Sequence, residues 1–344
     1  MESSARPSSR KRLSKKRSRW YGNCASPIVR NRNSRDNTNS KTKIADKPTG
    51  TVITPPLTLS VVILSFNTKE ITADCIESVY RHCPTIAGLD IVVIDNASED
   101  GSADFIETSF PDVKLIRNTK NRGFASACNQ GIRASYGDFV LLLNSDAKLF
   151  DQSLDVLIDY MLRNDDVGIC GGTMLTAEGE VQPSCHSFPT YGNILFTKNW
   201  LLKPLKFFGK KFRKNREVPN HTSDVDALAG GFLLLRRESL ARVGLLDERF
   251  FFYVEDIDIS RRMWRAGWRV VIVPKARVIH LGGASTRRKP FKSYAWHHRS
   301  LFRYFMKHYP LLLPLNLLLG AGLFFHLIVS SAFNAIFKRP DKSC

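Results

Sequence analysis

The sequence lacks several common signatures, and each absence narrows the possible functions. It has no P-loop, no GxGxxG fingerprint and no HExxH pair, which argues against the motif-defined NTPases, dinucleotide enzymes and zinc proteases. The N-terminus has no apolar run of the kind that a signal peptide needs. None of the seven cysteines forms a CxxC pair, so we expect reduced thiols in a cytosolic setting.

Acidic residues are scarce at both ends of the chain. The 344 residues include 51 Lys and Arg against 32 Asp and Glu, a formal net charge of +19. Residues 1–50 carry a net charge of +11 and residues 287–344 one of +9, which leaves the centre nearly neutral at −1. We therefore expect no basic groove through the folded body. Nucleic-acid binding is kept as an alternative function, acting through phosphate contacts of the basic run at 10–19.

The composition along the chain predicts three parts. Residues 1–57 are predicted to form a disordered basic tail, residues 58–286 a folded domain, and residues 287–344 a basic amphipathic helix followed by an apolar segment. Residues 198–216 are a basic stretch that we interpret as an excursion from the domain. Residues 310–337 contain no Asp, Glu, Lys or Arg, and about 20 apolar residues suffice to span a membrane.

Apolar runs and amphipathic segments alternate after residue 58. Strands are predicted at 59–66, 89–94, 113–116 and 139–143, and helices at 68–81, 101–110 and 123–136, with Thr68 as a helix cap. This alternation is typical of a parallel, doubly wound α/β sheet. Further along, we predict helices at 151–163 and 255–266 and strands at 167–172, within 224–237, at 268–273 and at 277–280.

Acidic residues follow two of the predicted strands, at the sheet edge where such folds bind ligands. Asp146 is suited to hold Mg²⁺ or Mn²⁺ against a nucleotide diphosphate, although Asn144-Ser145-Asp146 also fits a turn that caps the next helix. Asp95 is suited to accept the N3–H of a uracil or thymine ring, with Phe66 beside the base. An Asx-turn is the alternative for Asp95, and both interpretations can hold at once.

A third acidic pair, Glu255-Asp256, begins a predicted helix after an aromatic run. The helix dipole favours acids in the first turn, but a carboxylate there also suits a general base that deprotonates an acceptor hydroxyl. We expect Asp258 to support Arg261 or Arg262. His280 ends a short apolar strand and is structural by default, unless the fold brings it beside Asp146.

Six ordered motifs resemble those of a family 2 glycosyltransferase, in particular its rhamnosyltransferase-like branch of bacterial cell-surface polysaccharide synthesis. They are SVVILSFNT, IVVIDNASEDGS, NRGFASACNQGI, DFVLLLNSDAKL, GLLDERFFFYVEDIDISRR and AGWRVVIVPKARVIHLGGAST, and they span residues 59–286. The resemblance implies an α/β GT-A fold with a mixed sheet, a nucleotide-sugar donor, a divalent cation (Mn²⁺ or Mg²⁺) and inversion at the anomeric carbon.

The resemblance also assigns roles by position. It implies that the base and ribose are bound by Phe66, Asn67, Asp95 and Asn96, and that the nucleotide-sugar pocket is lined by Asn121, Gly123 and Asn129. The metal and diphosphate contacts are assigned to Asn144, Ser145, Asp146 and His280. The catalytic base is assigned to Asp256, which follows the acidic Glu255.

The metal motif departs from Asp-x-Asp, because Asn144 replaces the first acid and leaves Asp146 as its one anionic ligand. The branch that this sequence resembles commonly has this form, so the change does not indicate inactivation. A silent nucleotide-binding scaffold is the second alternative function.

The two basic flanks and the apolar segment predict contact with an anionic membrane surface, since each Lys or Arg near such a surface contributes about 1 kcal/mol. The expected location is the cytoplasmic face, with residues 310–337 peripheral, re-entrant or spanning once. The expected acceptor is a lipid-linked saccharide, and dTDP-rhamnose is the favoured donor.

Overall fold

The computed structural model describes residues 57–83, 88–197, 218–282 and 290–337. Side chains at 195–197, 290–291 and 330–337 are not described. The predicted tail, apart from Leu57, and the basic stretch at 198–216 therefore lie outside the described residues.

A nine-stranded mixed sheet forms the centre of the described chain. Its strands are β1 (Thr58–Ser65), β2 (Gly88–Asp95), β3 (Lys114–Arg117), β4 (Phe139–Asn144), β5 (Ala147–Leu149), β6 (Val167–Leu175), β8 (Ser223–Asp224), β10 (Phe232–Arg236) and β11 (Arg269–His280). They run in the order β3-β2-β1-β4-β10-β6-β11-β5, and β8 pairs with β11. A small second sheet pairs β7 (Cys185–His186) with β9 (Ala227–Leu228).

The first half of the sheet is parallel, as the alternating pattern predicts. β1 pairs in parallel with both β2 and β4, and β2 with β3. In this register Ser65 lies opposite Asp95 and Leu64 opposite Asn144. The carboxyl ends of three strands therefore meet at one edge, which is where polar residues were expected.

Helices cover both faces of the sheet. They are α1 (Lys69–Arg81), α2 (Ser102–Ser109), α3 (Phe124–Ala134), α4 (Ser153–Arg163), α5 (Tyr191–Thr197), α6 (Arg237–Val243) and α7 (Glu255–Arg265). Buried side chains of α1, α2 and α4 form one core with the sheet, and those of α3, α6 and α7 form the core on the other face. Alternate residues of β1 serve the two cores, which explains its continuous apolar run.

The second half of the sheet is mixed, as the resemblance implies, and the structure adds three details that were not predicted. β10 is antiparallel to both of its neighbours, and β5 is an added short strand antiparallel to β11. Since β5 follows Asp146 directly, the alternative of a helix-capping turn at 144–146 is wrong. The two strands predicted at 268–273 and 277–280 form one strand, β11, with a register shift between Ile272 and Arg277.

The chain ends in two helices, α8 (Pro290–His308) and α9 (Leu313–Phe337), which are joined by a 3₁₀ turn. α8 packs Leu301, Tyr304 and Phe305 against Phe250 and Val254 of the main domain, forming a third buried cluster. Residues 310–329 are long and apolar enough to cross a membrane, and 6% of that window is buried in the described structure.

Candidate active site

Asp95 ends β2 at the polar edge and leaves one acceptor unused. Its side chain is buried, and Oδ2 accepts a hydrogen bond from the Ser98 backbone N–H at 3.0 Å, which confirms the local turn. Oδ1 is also buried and has no hydrogen-bond partner among the described residues. Because an unsatisfied buried acceptor is costly, this oxygen is suited to an N–H donor from a ligand.

The loops around Asp95 are held together by asparagine side chains. Asn67, in the left-handed region at φ 54°, donates from its backbone to Ser98 Oγ and accepts from the Glu99 N–H. Asn96 Nδ2 donates to Asn121 Oδ1 at 3.1 Å, and Asn121 Oδ1 also accepts from the Gly123 N–H at 2.9 Å. These residues therefore shape the loops at the end of β2, and the structure brings together five of the predicted nucleotide-binding residues: Asn67, Asp95, Asn96, Asn121 and Gly123.

Gly123 allows this loop to approach the aromatic run that precedes α7. Its φ of +81° lies in the region that favours glycine, and a Cβ there would come within 2.4 Å of the Phe251 carbonyl oxygen. The Phe124 N–H donates to that same oxygen at 2.7 Å. The segment assigned to the nucleotide-sugar pocket is thus in contact with the segment that leads to Glu255 and Asp256.

Asp146 and His280 meet at the same edge, as proposed for a metal site. The His280 Nε2 atom lies 3.3 Å from Asp146 Oδ1 and 3.2 Å from Asn144 Nδ2. The strands explain this proximity, because β11 pairs with β5 in the register that sets His280 opposite Ala147, directly after Asp146. His280 is therefore not an isolated structural histidine.

Gln182 fixes which nitrogen of His280 carries the proton, and the sequence analysis did not identify this residue. Its Nε2 donates to the His280 carbonyl oxygen at 2.6 Å, so its Oε1 faces His280 Nδ1 at 3.0 Å and accepts from it. In the neutral ring the hydrogen is then on Nδ1, and Nε2 accepts from the Asn144 side-chain amide while lying beside the Asp146 carboxylate. Metal-binding histidines commonly donate their other N–H in this way.

This donor set fits a divalent cation that is shared with a diphosphate. A carboxylate oxygen and an imidazole Nε2 lie 3.3 Å apart, and both are atom types that bind Mn²⁺-class cations. No group of three or more His, Cys, Asp or Glu side chains suited to a metal occurs in the described ranges. Two protein ligands are nevertheless typical of Mg²⁺-type sites that are completed by substrate phosphates and water.

A pair of glycines joins the Asp146–His280 pair to Asp256. The Gly230 N–H donates to Asp256 Oδ2 at 2.9 Å, and the Asn144 N–H donates to the Gly231 carbonyl at 3.1 Å. A Cβ on Gly231 would lie 3.5 Å from His280 Nε2. The two catalytic groups predicted from distant parts of the sequence are therefore neighbours across one dipeptide.

The two acids at the start of α7 differ in their surroundings. Glu255 is buried, and burial, followed by the charge of Asp256, raises the pKa of Glu255 well above its usual value. Its Oε2 has no hydrogen-bond partner in the described part of the chain. Asp256 is half-buried and accepts from the Gly230 N–H. Because burial disfavours the charged, proton-accepting form of Glu255, Asp256 is the better candidate for the base.

The turn before these acids is strained. Tyr253 and Val254 have φ values of 68° and 72°, and a β-branched residue in this region is a genuine outlier. Val254 is the residue that precedes the first turn of α7, so the unusual backbone sets the direction in which α7 begins. Strain of this kind is commonly found at functional sites.

Two residues have roles in the structure that differ from those expected. Asn129 uses its side-chain amide to hold the Leu246 backbone and Glu248, so its polar atoms serve the fold. Thr68 does not cap α1 with its side chain, because its Oγ1 faces Thr72 at 3.0 Å and Ser145 Oγ at 3.3 Å.

Residues 60–244, more than half of the chain, match the family described as "Glycosyl transferase family 2". The chain belongs to this family. The protein is accordingly a glycosyltransferase, and the family interpretation from the six motifs is confirmed.

Curated relatives of this glycosyltransferase include bacterial rhamnosyltransferases. It is 31% identical over 228 residues to the N-acetylglucosaminyl-diphospho-decaprenol L-rhamnosyltransferase of Mycobacterium tuberculosis, covering 62% of this chain and 73% of the relative. It is 40% identical over 80 residues to the rhamnosyltransferase WbbL of Escherichia coli, covering 23% of this chain and 30% of that protein.

A solved structure supports the fold. The mannosyltransferase PcManGT of Pyrobaculum calidifontis, in complex with GDP-Man and Mn²⁺, has a TM-score of 0.50 and 18% identity to this glycosyltransferase. The likeness covers 83% of this chain and 82% of that one. At this identity it bears on the fold alone, and it confirms the expected GT-A-like mixed α/β architecture.

Proposed function

We propose that this glycosyltransferase moves a sugar, with rhamnose favoured, from a nucleoside diphosphate to a lipid-linked saccharide with inversion at the anomeric carbon. The observation that supports it most strongly is the Gly230-Gly231 contact, which brings Asp256 next to the Asp146–His280 pair. One site then contains a candidate base and a candidate diphosphate-binding pair, as a single displacement at the anomeric carbon requires.

In the proposed reaction, Asp256 takes the proton of an acceptor hydroxyl while that oxygen forms a bond to the anomeric carbon. The bond from this carbon to the diphosphate breaks on the opposite side, and the nucleoside diphosphate leaves with the electron pair. The hydrogen bond from Gly230 orients the Asp256 carboxylate for this step. Burial disfavours the charged form of Glu255 and raises its pKa, which leaves Asp256 as the proposed proton acceptor.

The proposed cofactor is Mn²⁺ or Mg²⁺, held by Asp146 and His280 and completed by the donor diphosphate. When bound, the cation supplies Lewis-acid neutralisation of the charge on the leaving diphosphate. Gln182 holds His280 in the ligating tautomer, and Asn144 flanks the ring. The proposal takes its donor and acceptor classes from the relatives, one of which is named for a decaprenyl-diphosphate-linked acceptor and both for rhamnose transfer.

A thermal-shift panel of nucleotide sugars, with and without Mn²⁺, tests this function. A ligand present at about 100 times its dissociation constant stabilises the folded state by about 2.7 kcal/mol. The proposal predicts the largest shift for dTDP-rhamnose in the presence of Mn²⁺, followed by its transfer to a polyprenyl-diphosphate-linked sugar. Equal shifts for unrelated nucleotides, with no transfer or donor hydrolysis, would support the silent scaffold instead.

Asp95→Asn is expected to weaken binding of a uridine or thymidine nucleotide. The substitution removes the charge from the unpartnered oxygen, and a hydrogen bond to a charged group contributes about 1.5–3 kcal/mol, so the dissociation constant should rise by about tenfold or more. Calorimetric titration with dTDP measures this effect. Asp90→Asn, on the same strand but bonded to Ser60, is the control and should bind dTDP as the wild type does. Equal binding by both variants would remove Asp95 from the site.

The proposed location is the cytoplasmic membrane face, with α9 in contact with lipid. Leu311, Leu318 and Phe324 are 95%, 69% and 66% exposed, so this apolar surface is not covered by the described chain. A charged residue near a bilayer centre costs about 2.5–3.5 kcal/mol. The double variant Leu318→Glu, Phe324→Glu is therefore expected to lose most of its binding to anionic vesicles.

Co-sedimentation with vesicles in low and high salt measures this binding. Wild-type protein should stay bound at high salt, because salt does not screen the insertion of apolar side chains. Attachment by charge alone would be screened by salt and lost. Release of the wild type by high salt or carbonate would contradict an inserted segment.

A further inference from the structure

A buried charged cluster fastens the helix that carries Asp256 to the C-terminal helix α8. Asp258, one half-turn after Asp256, is fully buried on α7. Its carboxylate accepts from Arg262 Nε at 2.8 Å, from Lys307 Nζ at 2.7 Å and from His308 Nε2 at 2.7 Å. Arg262 belongs to the same helix, whereas Lys307 and His308 belong to the last turn of α8.

The charges in this cluster are consistent with an ionised Asp258. Burial raises the pKa of Asp258, but the hydrogen bond from His308 and the charges of Arg262 and Lys307 outweigh it, so the pKa lies below its usual value. Burial lowers the pKa of His308, against the opposing effect of Asp258. Arg265 lies 3.1 Å from His308 Nδ1 and can only donate, so the His308 proton is on Nε2, directed at Asp258.

Two further contacts attach the same segment of α7. Lys307 Nζ also bonds Asp247 Oδ2 at 2.7 Å, which ties the loop before the aromatic run into the cluster. Three positions after Asp258 on α7, Arg261 donates to the hydroxyls of Tyr304 and Tyr309 at 2.7 and 3.1 Å. Helix α7 is thus bound by directional contacts at two positions, Asp258 and Arg261.

Apart from these contacts, the start of α7 is held by apolar packing and by the hydrogen bond from the Gly230 N–H to Asp256. Helix α7 begins after Val254, whose backbone is in the left-handed region. Val254 packs on the α8 side chains in the third buried cluster. An apolar contact alone would allow α7 to rotate or slide, whereas a buried, fully bonded carboxylate specifies one orientation. A small rotation of α7 would displace Asp256 from Gly230, and misplacement by about 1 Å can cost about a hundredfold in rate.

We infer that Asp258 is a positioning residue: with Lys307 and His308 of α8, it holds the first turn of α7 so that Asp256 faces the acceptor. The C-terminal helices are then part of the catalytic apparatus and not only a membrane anchor. This inference rests on the proposed role of Asp256 as the base.

Steady-state kinetics of the full chain in anionic vesicles tests this role with three variants. Asp258→Asn is expected to lower kcat at least tenfold while the dissociation constant for dTDP with Mn²⁺ stays within twofold, because the nucleotide loops do not touch the cluster. His308→Gln keeps a side-chain N–H for Asp258 and should retain at least half of the wild-type kcat. His308→Leu removes that donor and should lose kcat as Asp258→Asn does.

Thermal unfolding and amide hydrogen exchange separate positioning from stability. Assays are run well below the Tm of each variant, so that the folded enzyme is compared. Exchange in residues 255–261 should increase in Asp258→Asn and His308→Leu but not in His308→Gln, while exchange in α3 stays unchanged. If Asp258→Asn does not fold, the comparison of His308→Gln with His308→Leu tests the inference instead.

Wild-type kcat in folded Asp258→Asn or His308→Leu, whatever their Tm, would overturn the inference. Equal losses in His308→Gln and His308→Leu would also overturn it, since the donated hydrogen bond would then be irrelevant. A wrongly assigned base would give a different result. In that case Asp256→Asn would retain activity, and this outcome does not depend on the role of Asp258.

Discussion

Asp256→Asn is expected to lower kcat by about a thousandfold, in the range usual for loss of a general base. The amide keeps the shape of the side chain and can still accept from the Gly230 N–H, but it cannot take the proton of an acceptor hydroxyl. The nucleotide loops at the ends of β1 and β2 do not involve this side chain. Calorimetry should therefore show unchanged binding of dTDP with Mn²⁺.

Glu255→Gln is the matched control for this prediction. Burial disfavours the charged form of Glu255, and glutamine mimics a neutral carboxylic acid, so the loss of kcat should stay below about tenfold. A near-wild-type rate for Asp256→Asn would show that the base has been assigned to the wrong residue. A severe loss in Glu255→Gln alone would transfer that role to Glu255.

Asp146→Asn is expected to abolish metal-dependent donor binding and to lower activity by about a hundredfold or more, since Lewis-acid stabilisation contributes several kcal/mol. Asn144 leaves Asp146 as the one carboxylate of its motif, so no neighbouring acid in that motif replaces it. Titration of Mn²⁺ by electron paramagnetic resonance, with dTDP present, measures the lost affinity independently of turnover.

Asp151→Asn is the control, because Asp151 is exposed and lies beyond β5 on the same stretch of chain. It should bind Mn²⁺ and dTDP as the wild type does. If Asp146→Asn retained wild-type Mn²⁺ affinity in the presence of dTDP, the cation would have to be held elsewhere.

The parallel half of the fold could be predicted from sequence because its signals are local. Continuous apolar runs in β1, β2 and β4 mark strands covered on both faces, and the helices between them are amphipathic. The antiparallel strands β5 and β10 could not be assigned in the same way, because nothing local specifies the direction of a strand. β5 is only three residues long, and its partner β11 lies far along the chain.

The candidate site shows the same division between local and distant information. Asp95, Asp146 and Asp256 each follow or begin a recognisable element, so their positions could be predicted. The tautomer of His280 depends on Gln182, which is 98 residues away and carries no motif. The family resemblance supplied the grouping of these residues, while the contacts through Gly230 and Gly231 are visible only in three dimensions.

Asp258 shows how the sequence identifies only a partner on the same helix. An interaction with Arg261 or Arg262 was expected, and the structure shows the ion pair with Arg262 at 2.8 Å. The partners on α8 are distant in sequence, with His308 50 residues away, and His308 gave no sign of function by itself. Only tertiary packing brings the basic end of α8 against the acidic start of α7.

The central claim is that one edge of the sheet holds the nucleotide, the cation and the base together. Anomalous scattering from manganese, in crystals grown with Mn²⁺ and dTDP, tests it most directly. The account predicts a manganese peak in contact with Asp146 and His280, and a thymine ring beside Asp95. A manganese peak away from both residues, or a nucleotide bound at another edge of the sheet, would contradict it.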